Sequence, residues 1–178
     1  MGANVEIKAR LRDPAQVAAR ARDLAGPPVE IQSQIDTFFD SPRGRLKLRH
    51  LRPDLGELIF YVRADAAGPK RSEYRLSTTP DPDGLRAVLA EALPVTGEVR
   101  KRRTLHLRGR TRIHLDEVEG LGEFLELEVV LAPGESTESG LQEAEELRTL
   151  LGIAEEDLIE GAYLDLLARV DLPSGGER

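Results

Sequence analysis

The sequence predicts an α+β fold in which eight antiparallel strands close into a β-barrel and amphipathic helices pack on its outside. Eight segments alternate polar and apolar residues with the two-residue period of a strand, and their charged residues share one face. Each strand alone would fit a sheet whose charged face meets water. The helices, however, can bury their apolar stripes only against the apolar strand faces. A twisted sheet of this size closes on itself, so the charged faces are expected to line its interior.

The amino-terminal half predicts five strands and one helix. The first strand, residues 4–11, has polar side chains at even positions and apolar side chains at odd positions. A short amphipathic helix begins at Asp13 and Pro14 and ends before the glycine and prolines at 26–28. The next strands, separated by Pro, Gly and Asp clusters, are predicted at residues 29–39, 44–51, 57–63 and 72–77.

The carboxy-terminal half adds three strands and three helices. A helix is predicted over residues 83–93, capped by the preceding Asp-Pro-Asp. Strands are predicted at residues 99–107, 111–118 and 122–131, and helices at residues 140–151 and 155–170. Residues 1–170 are therefore expected to form one domain, followed by a flexible tail at residues 171–178.

Charge balance and composition exclude several classes of protein. The 25 Lys and Arg residues are outnumbered by 32 Asp and Glu residues, which argues against a nonspecific polyanion binder. Aromatic residues make up only 4%, too few for a nucleic-acid stacking platform, so no nucleic-acid duplex is expected as a partner. Without cysteine, metal ligands must be carboxylates or histidines. With no apolar leader and no bilayer-length apolar stretch, we expect a cytoplasmic protein that does not contact membranes.

The predicted interior contains both signs of charge, and this mixture predicts a ligand. Glu126 and Glu128 are neighbours on one strand face, which is unfavourable without a cation between them. An unpaired buried ion costs several kcal/mol, so the basic residues also need partners. Arg and Lys suit phosphate oxygens, and carboxylates suit Mg²⁺ or Mn²⁺. The interior is therefore expected to bind a polyphosphate together with divalent metal.

Seven motifs distributed along nearly the whole chain carry a family resemblance. They occupy residues 4–8, 44–49, 61–63, 68–74, 99–103, 112–116 and 124–128. Together they resemble the CYTH family, also called triphosphate tunnel metalloenzymes, which includes class IV adenylyl cyclases, thiamine triphosphatases and inorganic triphosphatases. Residues 120–128 and 161–167 are most similar to the cyclase branch.

The resemblance implies an eight-stranded tunnel that binds ATP, tripolyphosphate or thiamine triphosphate with Mg²⁺ or Mn²⁺. The implied metal ligands are Glu6, Glu126 and Glu128. The implied substrate-binding residues are Lys8, Lys47, Arg49, Arg63, Lys70, Lys101 and Arg103. Lys8, Arg63 and Asp116 are expected to act in catalysis. The resemblance also implies a homodimer.

One departure from the family pattern leaves the reaction open. The first glutamate of the opening motif is Asn4 here, and its neutral amide cannot act as a general base and binds metal only weakly. The main expectation is class IV adenylyl cyclase-like chemistry, in which ATP gives cyclic AMP and pyrophosphate. The alternatives are an inorganic tripolyphosphatase, a thiamine or other organic triphosphatase, and a non-catalytic polyphosphate- or nucleotide-binding module. His114 is expected to be a hydrogen-bonded ring inside the barrel.

Overall fold

The computed structural model describes residues 2–170, and the predicted tail at residues 171–178 lies outside this range. Its elements, in chain order, are β1 (Gly2–Arg10), α1 (Pro14–Ala25), β2 (Glu30–Phe39), β3 (Arg45–Arg52), β4 (Leu55–Arg63), β5 (Lys70–Thr79), α2 (Pro82–Ala92), β6 (Val95–Arg108), β7 (Thr111–Val118), β8 (Gly122–Val130), α3 (Thr137–Leu151), a 3₁₀ turn (Glu155–Asp157) and α4 (Tyr163–Val170). No helix within residues 2–170 is both long and apolar enough to cross a membrane.

The eight strands form a closed antiparallel barrel in the order β1-β5-β4-β3-β2-β6-β7-β8. β1 completes the barrel because it pairs with β5 on one side and with β8 on the other. Closure leaves no open sheet edge, so the alternate side chains of every strand point either into the lumen or towards the outside. The predicted fold class is confirmed.

The main apolar core lies between the outer face of the barrel and helices α1 and α3. Ile7, Ile113 and Leu127 point outwards from β1, β7 and β8 and are fully buried. Val17 of α1 and Leu147 of α3 belong to the same cluster. Burying apolar surface in this layer stabilises the barrel and leaves the charged strand faces for the lumen.

A second apolar cluster closes one end of the barrel. It contains Phe38, Val99, Val118, Phe124 and Tyr163. Each of these residues is at most 5% exposed, and Tyr163 is the first residue of α4. The lumen is therefore blocked by α4 at this end.

The predicted helix over residues 155–170 is wrong, because only its two ends are helical. The 3₁₀ turn is followed by an extended stretch in which the Ile159 amide donates to the Lys8 carbonyl at 2.9 Å. Gly161 then adopts a positive φ of 77°, and the Asp165 carboxylate accepts a hydrogen bond from the Ala162 amide at 2.7 Å as α4 begins. Pairing with the end of β1 thus replaces the middle of the expected helix.

Candidate functional site

The inward faces of all eight strands enclose a cavity of about 310 Å³. This volume is at the lower end of the range for small-molecule pockets. Most of the predicted site residues line it: Glu6, Lys8, Lys47, Arg49, Arg63, Lys101, Arg103, Glu126 and Glu128. Lys70 and Asp116 are buried but do not line the cavity. The structure therefore brings together residues that are distant in the sequence.

Lys47 and Arg49 form a basic wall that is organised by Asp36. The Asp36 carboxylate lies 2.7 Å from Lys47 Nζ and 2.8 Å from Arg49 Nε. Although burial alone would raise the pKa of Asp36, Arg49 and Lys47 hold it well below its ordinary value. Asp36 was not among the site residues predicted from the sequence. The signal that could have revealed it is the two-residue alternation of Gln32, Gln34 and Asp36 along one face of β2.

Lys101 and Arg103 are fixed from behind by Asp116. Arg103 donates two hydrogen bonds of 2.6 Å to Asp116, and Lys101 Nζ lies 3.3 Å from the same carboxylate. The Tyr163 hydroxyl donates a further hydrogen bond of 3.0 Å. Burial would raise the pKa of Asp116, but Arg103 and Lys101 lower it below its usual value. Since its side chain is fully buried behind these cations, Asp116 is placed to position them.

The β1 residues contact bases from other strands. Glu6 is ion-paired with Arg63, and Arg63 Nη2 also donates to the Gly161 carbonyl at 2.7 Å. Lys8 Nζ lies 3.7 Å from Glu126 and 3.9 Å from the centre of the Tyr163 ring. These contacts place Lys8 and Arg63 close to the end of the lumen that α4 closes.

Lys70 is held by the backbone next to the lumen. Its Nζ donates to the Ala66 carbonyl at 2.8 Å. Burial, reinforced by the charges of Arg63 and Lys8, lowers the pKa of Lys70 to about 8. Lys70 therefore adds positive charge beside the cavity without forming part of its wall.

Three side chains on β7 and β8 could hold a metal ion. His114, Glu126 and Glu128 each offer a ligand atom, and these atoms lie within 4.8 Å of one another. His114 Nδ1 is buried, has no hydrogen-bond partner among the described residues, and lies 3.9 Å from Glu128. Burial, followed by the charge of Arg103, lowers the pKa of His114 to about 4, so the ring is neutral and can ligate metal. The donor set therefore fits a divalent cation.

This group differs from the predicted set of Glu6, Glu126 and Glu128. His114 does lie inside the barrel as expected, but its Nδ1 lacks the expected hydrogen bond. Glu6 faces Glu128 across the β1–β8 pairing, yet its carboxylate is engaged by Arg63. The sequence pattern gave no sign of this pairing, because Glu6 and Arg63 belong to strands that are not neighbours in the barrel.

Asn4 lines the cavity and is only 4% exposed. Its Oδ1 has no hydrogen-bond partner among the described residues, so a neutral acceptor faces the lumen. No carboxylate from β1 is therefore free in this part of the lumen, since the next inward residue, Glu6, is paired with Arg63.

The chain is similar to one domain family and to several known proteins over most of its length. The model of the CYTH domain family matches residues 2–163. A Methanocaldococcus jannaschii protein, named as a candidate adenylate cyclase, is 25% identical over 170 residues, covering 91% of this chain and 97% of that protein. A solved structure from Pyrococcus horikoshii OT3 has a TM-score of 0.82 at 23% identity, covering 92% of this chain and 99% of that one. A Hippeastrum protein, described as a candidate adenylyl cyclase with dominant triphosphatase activity, has a TM-score of 0.69 at 15% identity, covering 98% of both chains.

Proposed function

This chain belongs to the CYTH domain family, and we propose that it is a divalent-metal-dependent enzyme that binds ATP in the barrel lumen and converts it to cyclic AMP and pyrophosphate. The observation that carries the proposal is the arrangement of the lumen. Six cations line one buried cavity with a carboxylate and imidazole group that fits a divalent metal. The cations are Lys8, Lys47, Arg49, Arg63, Lys101 and Arg103. The curated relative named as a candidate adenylate cyclase supports the cyclase reaction.

The chain's own cations would bind and orient the phosphates. Arg49 and Arg103 have planar guanidinium groups already fixed by Asp36 and Asp116, so binding costs them little conformational entropy. Pre-positioned charges stabilise the charge that develops on the leaving pyrophosphate. No covalent nucleophile from the protein is needed for such a transfer.

His114, Glu126 and Glu128 would hold Mg²⁺ or Mn²⁺. When bound, the ion neutralises phosphate charge and polarises the phosphoryl oxygens. Burial alone would raise the pKa of Glu126, but Lys8 and Arg103 hold it well below its ordinary value. Glu126 is therefore ionised at neutral pH, as a metal ligand must be.

Hydrolysis of the triphosphate is the second candidate reaction. The Hippeastrum structural neighbour is described as having dominant triphosphatase activity. Against hydrolysis here, Asn4 cannot accept a proton from water, and Glu6 is occupied by Arg63. In the cyclase reaction the ribose 3′-hydroxyl of the bound substrate attacks the α-phosphorus and the bond to pyrophosphate breaks. The pyrophosphate carries away the proton of the hydroxyl, so no carboxylate of β1 has to accept it. We also propose that the protein is cytoplasmic and forms a homodimer.

Product analysis tests the reaction directly. Purified protein is incubated with ATP, or with tripolyphosphate, and with Mg²⁺ or Mn²⁺, and the products are separated by chromatography. We expect cyclic AMP and pyrophosphate in equal amounts from ATP. Accumulation of ADP and orthophosphate instead would establish hydrolysis, and the absence of any product despite tight binding would establish a binding module.

We predict that Arg49→Ala weakens tripolyphosphate binding roughly tenfold. The loss should be smaller for pyrophosphate, since a shorter chain bound near the α4 end would not reach Arg49. Isothermal titration with both ligands measures this difference. The matched control is Arg52→Ala, which removes a 68%-exposed guanidinium from the same strand. Equal losses for the two ligands would contradict this placement of the phosphate chain.

Phosphate binding should also depend on the ionisation of Lys101. Burial and the nearby charge of Arg103 lower the pKa of Lys101 to about 7. As the pH rises through 7 the ammonium group loses its proton, so tripolyphosphate affinity should fall between pH 6 and pH 8. In Lys101→Arg the guanidinium stays charged, and this fall should disappear. Because the ligand titrates equally in both proteins, parallel pH profiles would contradict the assignment.

A further inference from the structure

The four lysines of the chain all lie in or beside the lumen, but they are not supported in the same way. They are Lys8, Lys47, Lys70 and Lys101. An ammonium group is a compact charge on a flexible four-carbon stem, so it needs a partner that holds it in one place. Lys47 and Lys101 contact carboxylates, and Lys70 contacts a backbone carbonyl. Lys8 has a different kind of partner.

Lys8 lies over the face of the Tyr163 ring. Its Nζ is 3.9 Å from the centre of that ring. The Glu126 carboxylate, with which Lys8 forms an ion pair, is 3.7 Å from Nζ and therefore beyond hydrogen-bonding distance. The face of an aromatic ring carries negative partial charge and attracts a cation, most strongly where water is excluded. Lys8 and Tyr163 are only 4% and 5% exposed, so the contact between them is shielded from water.

Two contacts hold the Tyr163 ring in one orientation. Its hydroxyl donates a hydrogen bond of 3.0 Å to Asp116, and its ring packs against Phe124 with 5.0 Å between the ring centres. Burial, followed by the charge of Asp116, raises the pKa of Tyr163 well above its ordinary value, so the hydroxyl keeps its proton and continues to donate. The ring is therefore a fixed surface at the α4 end of the lumen.

An aromatic partner leaves more of the lysine charge for a ligand than a carboxylate does. A carboxylate neutralises the cation that it contacts and repels an incoming phosphate. An aromatic ring has no net charge, so Lys8 keeps its positive charge towards the cavity. Glu126 also belongs to the candidate metal group, and a carboxylate bound to a metal ion attracts an ammonium group less strongly. The ring of Tyr163 is then the main partner of Lys8.

We propose that Tyr163 is the positioning residue for Lys8: its ring holds the ammonium group at the α4 end of the lumen, where the charge is available to a phosphate chain. The hydroxyl of Tyr163 has a separate role, because it contacts Asp116. Helix α4 thus contributes to phosphate binding as well as closing the barrel. This inference rests on the proposed function, because it requires the phosphates to bind in the lumen.

Two substitutions separate the role of the ring from that of the hydroxyl. Tyr163→Phe keeps the ring and removes the hydrogen bond to Asp116, whereas Tyr163→Leu removes both. Isothermal titration with tripolyphosphate and Mg²⁺ should give Tyr163→Phe an affinity within about twofold of wild type, and Tyr163→Leu an affinity roughly fivefold weaker. The control is Phe124→Leu, which loosens the same apolar cluster but keeps the ring beside Lys8. It should bind tripolyphosphate as wild-type protein does.

The NMR signal of Lys8 gives a readout that a merely structural role of Tyr163 would not change. With labelled lysine, the spectrum contains four ε-methylene signals, and the Lys8 signal is the one that disappears in Lys8→Arg. Protons above a ring face are shifted upfield by the ring current. We expect the Lys8 signal to be the most strongly shifted of the four in wild-type protein, Tyr163→Phe and Phe124→Leu, and to move downfield in Tyr163→Leu.

The outcomes separate the two proposals. Wild-type affinity in Tyr163→Leu, or an unshifted Lys8 signal in wild-type protein, would overturn the role of the ring and leave triphosphate binding intact. A loss of affinity in Tyr163→Phe or in Phe124→Leu as large as that in Tyr163→Leu would also overturn it, because the effect would then arise from the hydroxyl or from a loosened α4 end. Failure of wild-type protein to bind tripolyphosphate would overturn the proposed function and this inference with it.

Discussion

Glu128→Gln should abolish metal-dependent turnover, with a loss of at least roughly 100-fold. The substitution keeps the shape of the side chain but removes the charge that a divalent cation needs. Glu128 lies next to His114 and Glu126 in the candidate metal group. It forms an ion pair with the half-buried Arg112. The fold should therefore survive the substitution, whereas replacing Glu126 would also leave the buried Lys8 without its carboxylate partner and remove one of the two carboxylates that Arg103 contacts.

Metal binding gives this prediction a readout that does not depend on catalysis. Titration of Mn²⁺ in the absence of substrate should show weaker binding by Glu128→Gln than by wild-type protein. The control is Glu123→Gln, which neutralises an exposed carboxylate on the same strand. Unchanged Mn²⁺ affinity and unchanged turnover in Glu128→Gln would remove Glu128 from the metal group.

Asp116→Asn should destabilise the protein by about 3 kcal/mol. The side chain of Asp116 is fully buried and holds Arg103, Lys101 and the Tyr163 hydroxyl together. The neutral amide leaves Lys101 without its nearest carboxylate, although Arg103 keeps its contact with Glu126. Urea unfolding of the variant and of wild-type protein measures the difference in the free energy of unfolding.

The dependence of this difference on pH follows from the lowered pKa of Asp116. A carboxylate whose pKa is lower in the folded state contributes all of its stabilisation above the ordinary pKa of about 4. The contribution is lost as the pH falls below that value and the carboxylate becomes protonated. The gap between wild type and Asp116→Asn should therefore shrink in acid. The control is Glu117→Gln, which changes the exposed neighbouring residue and should have the same midpoint of urea unfolding as wild-type protein. An unfolding midpoint of Asp116→Asn equal to that of wild-type protein would contradict the prediction.

The strands could be predicted from the sequence because their signal is local. Alternation with a period of two identified all eight strands, and the face on which residues such as Lys47 and Arg103 lie. The helix predicted over residues 155–170, in contrast, is wrong in the middle of the segment. A tertiary hydrogen bond to β1, which no local pattern encodes, keeps the middle of that segment extended.

The site was predicted less completely than the fold. Asp36 was overlooked because its inward neighbours on β2 are amides, so the strand lacked the run of charges seen elsewhere. His114 was expected to be a satisfied interior ring, and only the coordinates show that its Nδ1 faces Glu128 without a hydrogen-bond partner. Asp116 was expected to act in catalysis, but its position behind Arg103 and Lys101 suits it to hold those cations in place.

By itself, the amino-acid sequence determined which side chains face the lumen, since alternation along a strand fixes the face of every residue once one face is buried. Only the tertiary structure decided which of these side chains meet. Glu6 reaches Arg63 past the intervening strand β5, and Arg103 reaches Glu126 past β7, because the tilt and stagger of a closed barrel set how non-neighbouring strands align. That alignment depends on all eight pairings together, so no single segment of the chain contains it.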